Sequence, residues 1–515
     1  MENNNFIGDY DDGPDEHEAI LPPMFRMKSI NDVDSLLSRE MMALTVDDRN
    51  AINEEIHGVG TMAPDETSGL IESSLREFQK EVDAIRRVKN NKVVDDFESI
   101  DGNNKYVETD SFKLVFLRCE LFDAKKAALR YLRYLDLLCD VFGTVALERP
   151  LNIANDFTKD DIKWFRMGHY QLLPFRDRAG RRVFASVADM GFALEDRMRL
   201  KIALYLLTKA VEDVDTQKNG MVLVFWPALS FSGNATCGYD GKVNDEGKII
   251  LQKDMTSCTR LMMAMPVRPA AVHFCFPDTK FYRLFFSITT LAIGSAANRS
   301  RVRFHIGELM ELQYCIKSFG IPVDLIPITD TGSIKTNHLK VWIKLRTRMD
   351  QAQSDGVSSD DSNGSSSYSG GSNSTIKSPL LSIVDCPSCK DVLFRSGKST
   401  IVHPGNVMFR SMVESRIDEH NNCSRLGKKS IVMDLIDSVE SVDGRFLTWD
   451  KSGYWKVLYD QADIRTRVGV SIRNFKQVQK ARTNVQSNES STYAFTNQGF
   501  PKRQKKSNGD TKNKA

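Results

Sequence analysis

Apolar residues recur at helical spacing through the first third of the chain and gather into short unbroken runs through its middle. Ile71, Leu75, Phe78, Val82 and Ile85 follow one another at three- and four-residue steps, which predicts a helix over 67–87 with one apolar face. Before it, Leu36, Leu37, Met41 and Met42, then Ile52 and Ile56, predict two short helices, the second ending at Gly58. Phe112, Val115, Phe116 and Cys119 share the face of a helix that Asp110 is placed to cap. After a break at Leu121-Phe122, Asp123 caps a second helix whose face is Ala124, Ala127, Ala128, Tyr131, Leu135 and Leu138, with Gly143 just past its end. The small alanines let these two helices approach closely. A helix is expected over 190–210, and the runs at 221–225, 271–276 and 301–306 read as buried strands. The apolar stretch 281–297 is broken by Arg283 and falls short of the roughly 20 residues a membrane span requires, so a core helix and no membrane span are expected.

The pattern stops at 354–378, which is nearly all Ser, Gly, Asn and Asp. Such a composition buries too little apolar surface to offset the entropy of ordering it, and reads as a flexible linker. About 25 residues of this coil span roughly 25–30 Å. Its Ser358-Ser359-Asp360-Asp361 suits acid-directed phosphorylation, and the added charge would extend it. Beyond the linker, His403-Pro404-Gly405-Asn406 fits a type II turn, with Asn406 capping a helix that turns Phe409, Met412, Val413 and Ile417 inward. A second helix is predicted over 430–439. Strands at 444–447 and 454–458 form a hairpin around Asp450-Lys451-Ser452-Gly453, and a closing helix spans 460–475. The order is helix, helix, hairpin, helix, a small α+β domain.

A length of 515 residues implies two or three domains. The boundaries read as an acidic disordered tail at 1–29, a helical extension at 30–104, paired helices at 105–150, an α/β domain at 151–346, the linker at 347–384, the α+β domain at 385–480 and a basic disordered tail at 481–515. The net charge of +2 hides opposite ends, acidic over residues 1–70 and basic at Lys502-Arg503 and Lys505-Lys506. Nine scattered cysteines and the lack of a basic, then apolar, leader predict reduced thiols and an intracellular protein, cytoplasmic or, if the basic tail is a localisation signal, nuclear.

The sequence holds no Gly-x-Ser-x-Gly elbow, no phosphate-binding Gly-rich loop with Lys, and no His-Glu-x-x-His helix, so a non-enzymatic binding protein without a cofactor is expected. Cys386, Cys389, His420 and Cys423 leave two readings open, a tetrahedral zinc site or reduced thiols at a domain edge. His273 and His305, inside apolar strands, read as satisfied core histidines.

Two resemblances extend this reading. Residues 110–118 (Asp-Ser-Phe-Lys-Leu-Val-Phe-Leu-Arg) and Phe122-Asp123-Ala124-Lys125-Lys126-Ala127 resemble the N-terminal helical module of CRAL-TRIO lipid-binding proteins. Asp177 to Phe184 resembles that family's turn and opening strand, Pro266-Val267-Arg268-Pro269 its entry to a later strand, and Pro277-Asp278-Thr279-Lys280-Phe281 the start of its gating helix. The similarity covers about 105–345, without the family's later double Gly. It implies an α/β fold with a pocket for a lipid or other apolar small molecule, a lid over 277–297 hinged at Gly294 and Ser295, and apolar contacts from Phe281, Leu284, Phe285 and Ile288. These side chains serve equally as the fold's own core. Arg268 and Arg303 either reach a head-group phosphate or form structural ion pairs.

Residues 388–475 are similar to a small family of unknown function found mainly in algal proteins. The similarity rests on Asp391, Val392, Leu393, Gly397, His403, Pro404, Gly405, Asn406, Phe409, Arg410, Gly444, Arg445, Phe446, Leu447 and Trp455. That family implies no activity. The domain over 385–480 is basic by about four charges. Arg410, Lys428, Lys429, Arg445, Lys456 and Arg473, with Arg465 and Arg467, are its candidates for contact with DNA phosphates or with a protein partner. The expectation is therefore an apolar-ligand domain tethered to a basic interaction module. The alternative is a DNA-associated regulator in which the N-terminal fold is a scaffold.

Overall fold

A computed structural model of the protein describes residues 44–88, 106–188, 196–227, 259–278, 299–322, 326–357, 383–395, 397–451 and 453–495, with Ser38, Met42 and Ser257. The chain divides into two compact units, Met1–Cys389 with Asp450–Trp455, and Lys390–Trp449 with Lys456–Ala515.

The first unit is an α/β structure on a five-stranded sheet in the order β1 (Tyr170–Arg176), β2 (Arg182–Ala188), β3 (Met221–Pro227), β4 (Pro269–Phe276), β5 (Val302–Ile306). β1 pairs antiparallel with β2, and the other neighbours are parallel. Alternation along the strands builds two cores. Leu172, Phe184, Leu223, Val272 and Val302 face one side, against α3 (Asp110–Cys119), α4 (Ala124–Phe142) and α5 (Asp196–Ala210). Leu173, Val183, Ala185, Val222, Val224, Ala271 and Cys275 face the other, against α6 (Leu309–Ser318).

Local signals at the helix ends mostly act as their chemistry suggests. The Asp123 side chain accepts from Lys126 N, and Gly143 closes α4 at φ +83°, a region glycine enters without strain. At α3 the cap is Thr109, which accepts from Phe112 N, while Asp110 is the first helical residue. The predicted 67–87 helix is α2 (Ser68–Val88), and the helix ending at Gly58 is α1 (Val46–Ile56). Neither is an appendage. Ile52 and Ile56 join the second core, and Phe78 and Val82 the first.

The start of the expected linker is helical. Helix α7 (Asn337–Val357) occupies its first eleven expected positions. Asp350, 2% exposed, accepts hydrogen bonds from Tyr205 Oη at 2.8 Å, Arg346 Nε at 3.0 Å and Ile153 N at 3.1 Å, and pairs with Lys209 at 3.0 Å. A carboxylate so enclosed ties the helix end to the domain. Ile383–Val384 forms a short strand, β6. Residues 358–382, with the candidate phosphorylation site, lie outside the described residues, as do the acidic 1–29 and the basic 496–515.

The second unit holds β7 (Val392–Phe394), α8 (Pro404–Ser415), α9 (Ile417–Asn422), α10 (Arg425–Glu440), β8 (Phe446–Trp449), all but the first residue of β9 (Trp455–Val457), and α11 (Gln461–Phe495). Two predictions need correction. The closing helix continues through Phe495, into what composition assigned to the tail, and β7 adds a strand that pairs parallel with β8. The His-Pro-Gly-Asn stretch is a helix start rather than a type II turn: His403 is the N-cap and Pro404 opens the first turn, where its missing N–H costs nothing. Asn406 caps no helix. Its Oδ1 accepts from Leu393 N at 2.6 Å and its Nδ2 donates to Leu393 O at 2.9 Å, so one amide side chain satisfies the edge of β7 as a neighbouring strand would. Gly405 makes that approach feasible, because a Cβ there would stand 2.1 Å from Asp391 O. Asp391, fully buried, accepts from Arg445 N, Nε and a terminal guanidinium nitrogen at 3.1, 3.0 and 2.8 Å.

Gly405→Ala is expected to destabilise the second unit by about 1–3 kcal/mol through overpacking. Asn406→Asp, which sets a carboxylate against Leu393 O, should cost a similar amount, about 1–3 kcal/mol. Amide exchange at Val392–Phe394 in the full chain should accelerate in both variants; parent-like protection would contradict the strand-mimic role.

Candidate functional site

The parallel strands of the first unit carry a row of rings across one face. Phe225 and Phe274 stack with centroids 4.6 Å apart and planes 15° from parallel, and Phe274 and Phe304 follow at 5.0 Å and 12°. Register dictates the row, since Phe225 aligns with Phe274 and Phe274 with Phe304. On the same face Tyr170 stacks on Phe184 at 5.9 Å. Phe225, Phe274, Phe304 and Tyr170 are each only half-buried, unlike Leu223, Val272 and Val302 one pleat nearer the strand starts. The row thus turns partly open aromatic surface toward the carboxyl-terminal half of the sheet, the end at which open α/β sheets receive ligands.

Of the predicted lipid contacts, Phe281, Leu284, Phe285 and Ile288 lie outside the described residues, as does most of the proposed lid. Arg268 and Arg303 are not placed to meet a head group beside this row. Arg268 sits just before β4, at the opposite end of the sheet, with a terminal guanidinium nitrogen 2.5 Å from Glu55 Oε1. Arg303 aligns with His273, which puts it on the other face from Phe274, and it donates to Ser300 O at 2.7 Å and Val302 O at 2.9 Å. The structural ion pair is the reading that holds for Arg268.

On that other face His273 Nδ1 lies 3.1 Å from His305 Nε2, and both rings pack on Phe319, which also stacks on His57. His273 is fully buried and its Nε2 has no hydrogen-bond partner among the described residues, so it is not the satisfied core histidine expected. Burial, then His305 and Arg181, holds His273 well below the ordinary imidazole range. Burial and Arg303 lower His305 to about 4. Sequence spacing cannot reveal this pair, because the two residues are 32 positions apart and meet only through strand pairing.

In the second unit the basic candidates divide. Arg445 is held by Asp391, and Arg410 donates to Ile401 O at 2.6 Å. Lys429 and Arg473 are exposed, and Lys428 and Lys456 half-buried. Lys476, not singled out by the sequence, donates to His420 Nδ1 at 2.9 Å. Cys423 Sγ rests 3.6 Å from His420 O. Among the described residues no group of three or more His, Cys, Asp or Glu is placed to hold a metal ion. Nor, among those residues, is any helix long and apolar enough to cross a membrane.

A mixed α/β unit and a small unit in which a buried Asp391 pairs with Arg445 are thus in place. Residues 391–474, most of the second unit, match a family described as a Domain of unknown function (DUF6824). No curated protein matches the chain.

The histidine pair predicts a pH dependence. Groups whose folded pKa lies below the unfolded value of 6.5 contribute stability that is present above about pH 6.5 and lost as pH falls toward the folded value. The first unit should weaken between pH 6.5 and 5 by up to about 1.4 kcal/mol per pH unit per histidine. Urea unfolding across that range checks it: His305→Gln should flatten the slope, and an unchanged slope would refute the assignment.

Proposed function

We propose that the first unit binds an apolar small molecule such as a lipid, that its fold is of the CRAL-TRIO type, and that the second unit is a basic interaction module acting with it in a non-enzymatic protein. The observation that carries this reading is the half-buried row Phe225–Phe274–Phe304. Stacked rings normally close over in a core, since each contributes about 1.5–3 kcal/mol when fully buried. Here the row lies partly open toward the strand ends where such sheets take ligands. The stacked rings offer dispersion contact, which suits acyl chains or fused rings rather than sugars or nucleotides. The segment order in support is two paired helices, an Asp177–Arg181 turn and a sheet parallel from β2 to β5, the order the sequence resemblance implies.

The test is organic extraction of the purified full-length protein with mass spectrometry, followed by displacement of a fluorescent fatty acid. A co-purifying apolar molecule near one per chain is expected. Phe274→Ala should weaken probe binding about tenfold, the equivalent of about 1.4 kcal/mol, while Phe274→Leu keeps most of it. An empty extract together with no probe binding would overturn the reading.

A further inference from the structure

The polar surface where α9, α10 and α11 meet is not explained by the fold. Lys476 on α11 donates to His420 Nδ1 on α9 at 2.9 Å, so in the neutral ring Nε2 carries the proton and is itself a donor. Lys428, in the first turn of α10, lies close enough that it and Lys476 both disfavour a charge on His420, after the effect of burial. That first turn carries Arg425 and Lys428 and no acid, with Lys429 just after it, against the helix dipole, which favours negative charge there. Lys429 is exposed, and so is Arg473, one helical turn before Lys476 on α11. Two nearby carboxylates, Glu419 and Asp434, are both engaged by Arg416, at 2.5 and 3.2 Å.

From this arrangement we propose that Lys428, Lys429, His420, Arg473 and Lys476 form a binding edge for the phosphodiester backbone of a nucleic acid. The inference deepens the reading of the second unit as a basic interaction module and rests on it. The groups come from three helices, with Lys429 and Arg473 exposed, which suits a repeating anion better than a single small phosphate. Phosphate contacts made by lysine, arginine and an imidazole N–H position a strand without reading its bases, so the edge binds with little sequence preference. Arg410 and Arg445 are not part of it, because Ile401 O and Asp391 already hold them.

The experiment uses the full chain and fluorescence anisotropy with a labelled DNA duplex at low and moderate salt. The parent should bind at low salt and weaken steeply as salt rises. Lys428→Gln with Lys476→Gln should lose tenfold or more in affinity and reduce the slope of log affinity against log salt by about two. The charge-keeping pair Lys428→Arg with Lys476→Arg should restore both. Lys340→Gln with Lys344→Gln, the same charge change at exposed positions of the first unit, should leave binding as it was. Parent-like binding by the Gln pair would overturn the edge while leaving the module reading intact. Failure of the parent to bind duplex or single strand at low salt would overturn the nucleic-acid assignment. So would binding only to vesicles that contain a phosphoinositide, which would make the partner a membrane.

Discussion

One carboxylate, Glu55, serves two buried guanidiniums at the amino-terminal edge of the sheet. Arg268 stands before β4 and Arg301 before β5, both about 5% exposed, and Glu55, 1% exposed, accepts from each, at 2.5 and 3.2 Å. Burial alone would push the Glu55 carboxyl up, but the two arginines more than offset it and hold the group below its ordinary value. The carboxylate comes from outside the sheet, on α1, and its neighbours fasten the same edge. Glu55 O and Ile56 O accept from Arg181, itself paired with Asp177 at 2.6 Å. Eleven residues on, Glu66 pairs with Arg118 at 2.7 Å and Lys218 at 3.2 Å. Removing one partner of such a set leaves charges stranded in a poor solvent, which is why the extension belongs to the domain.

With the amino-terminal edge closed by charge, the two faces of the sheet and its other end are left for packing and function. One face ends in stacked phenylalanines that are only half-buried, the other in two neutral histidines against Phe319. The second unit divides its polar groups in the same manner. Asp391, Asn406 and Arg445 are spent on holding β7 in place, and the cations on α9, α10 and α11 remain at the surface. These structural residues lie within the range 391–474 that matches a family of unknown function.

Much of this was legible in the sequence where the signal is local. The cap at Asp123, the stop at Gly143 and the apolar face of α2 depend on residues a few positions apart, and each lies where its spacing indicates. The Gly405-Asn406 pair misled because the same residues suit a turn; only the approach of α8 to Asp391 and Leu393 shows what they do. Asp350 misled as well. It lies beside polar, linker-like sequence, and three of its four partners, Ile153, Tyr205 and Lys209, come from distant segments. The candidate sites were least legible. The Phe225–Phe274–Phe304 row needs strand register, and the Lys476–His420 contact needs helix packing between residues 56 positions apart.

Glu55 joins the extension to the sheet, so the central claim is best tested by hydrogen exchange on the full-length Glu55→Gln variant. The amides to follow are Val272, which donates to Arg301 O at 3.1 Å, and Met221, which donates to Arg268 O at 3.0 Å. Loss of a buried ionic partner costs about 3–5 kcal/mol, so both amides should exchange at least a hundredfold faster, while amides of the second unit keep their rates. Parent rates at Val272 and Met221 would contradict the account.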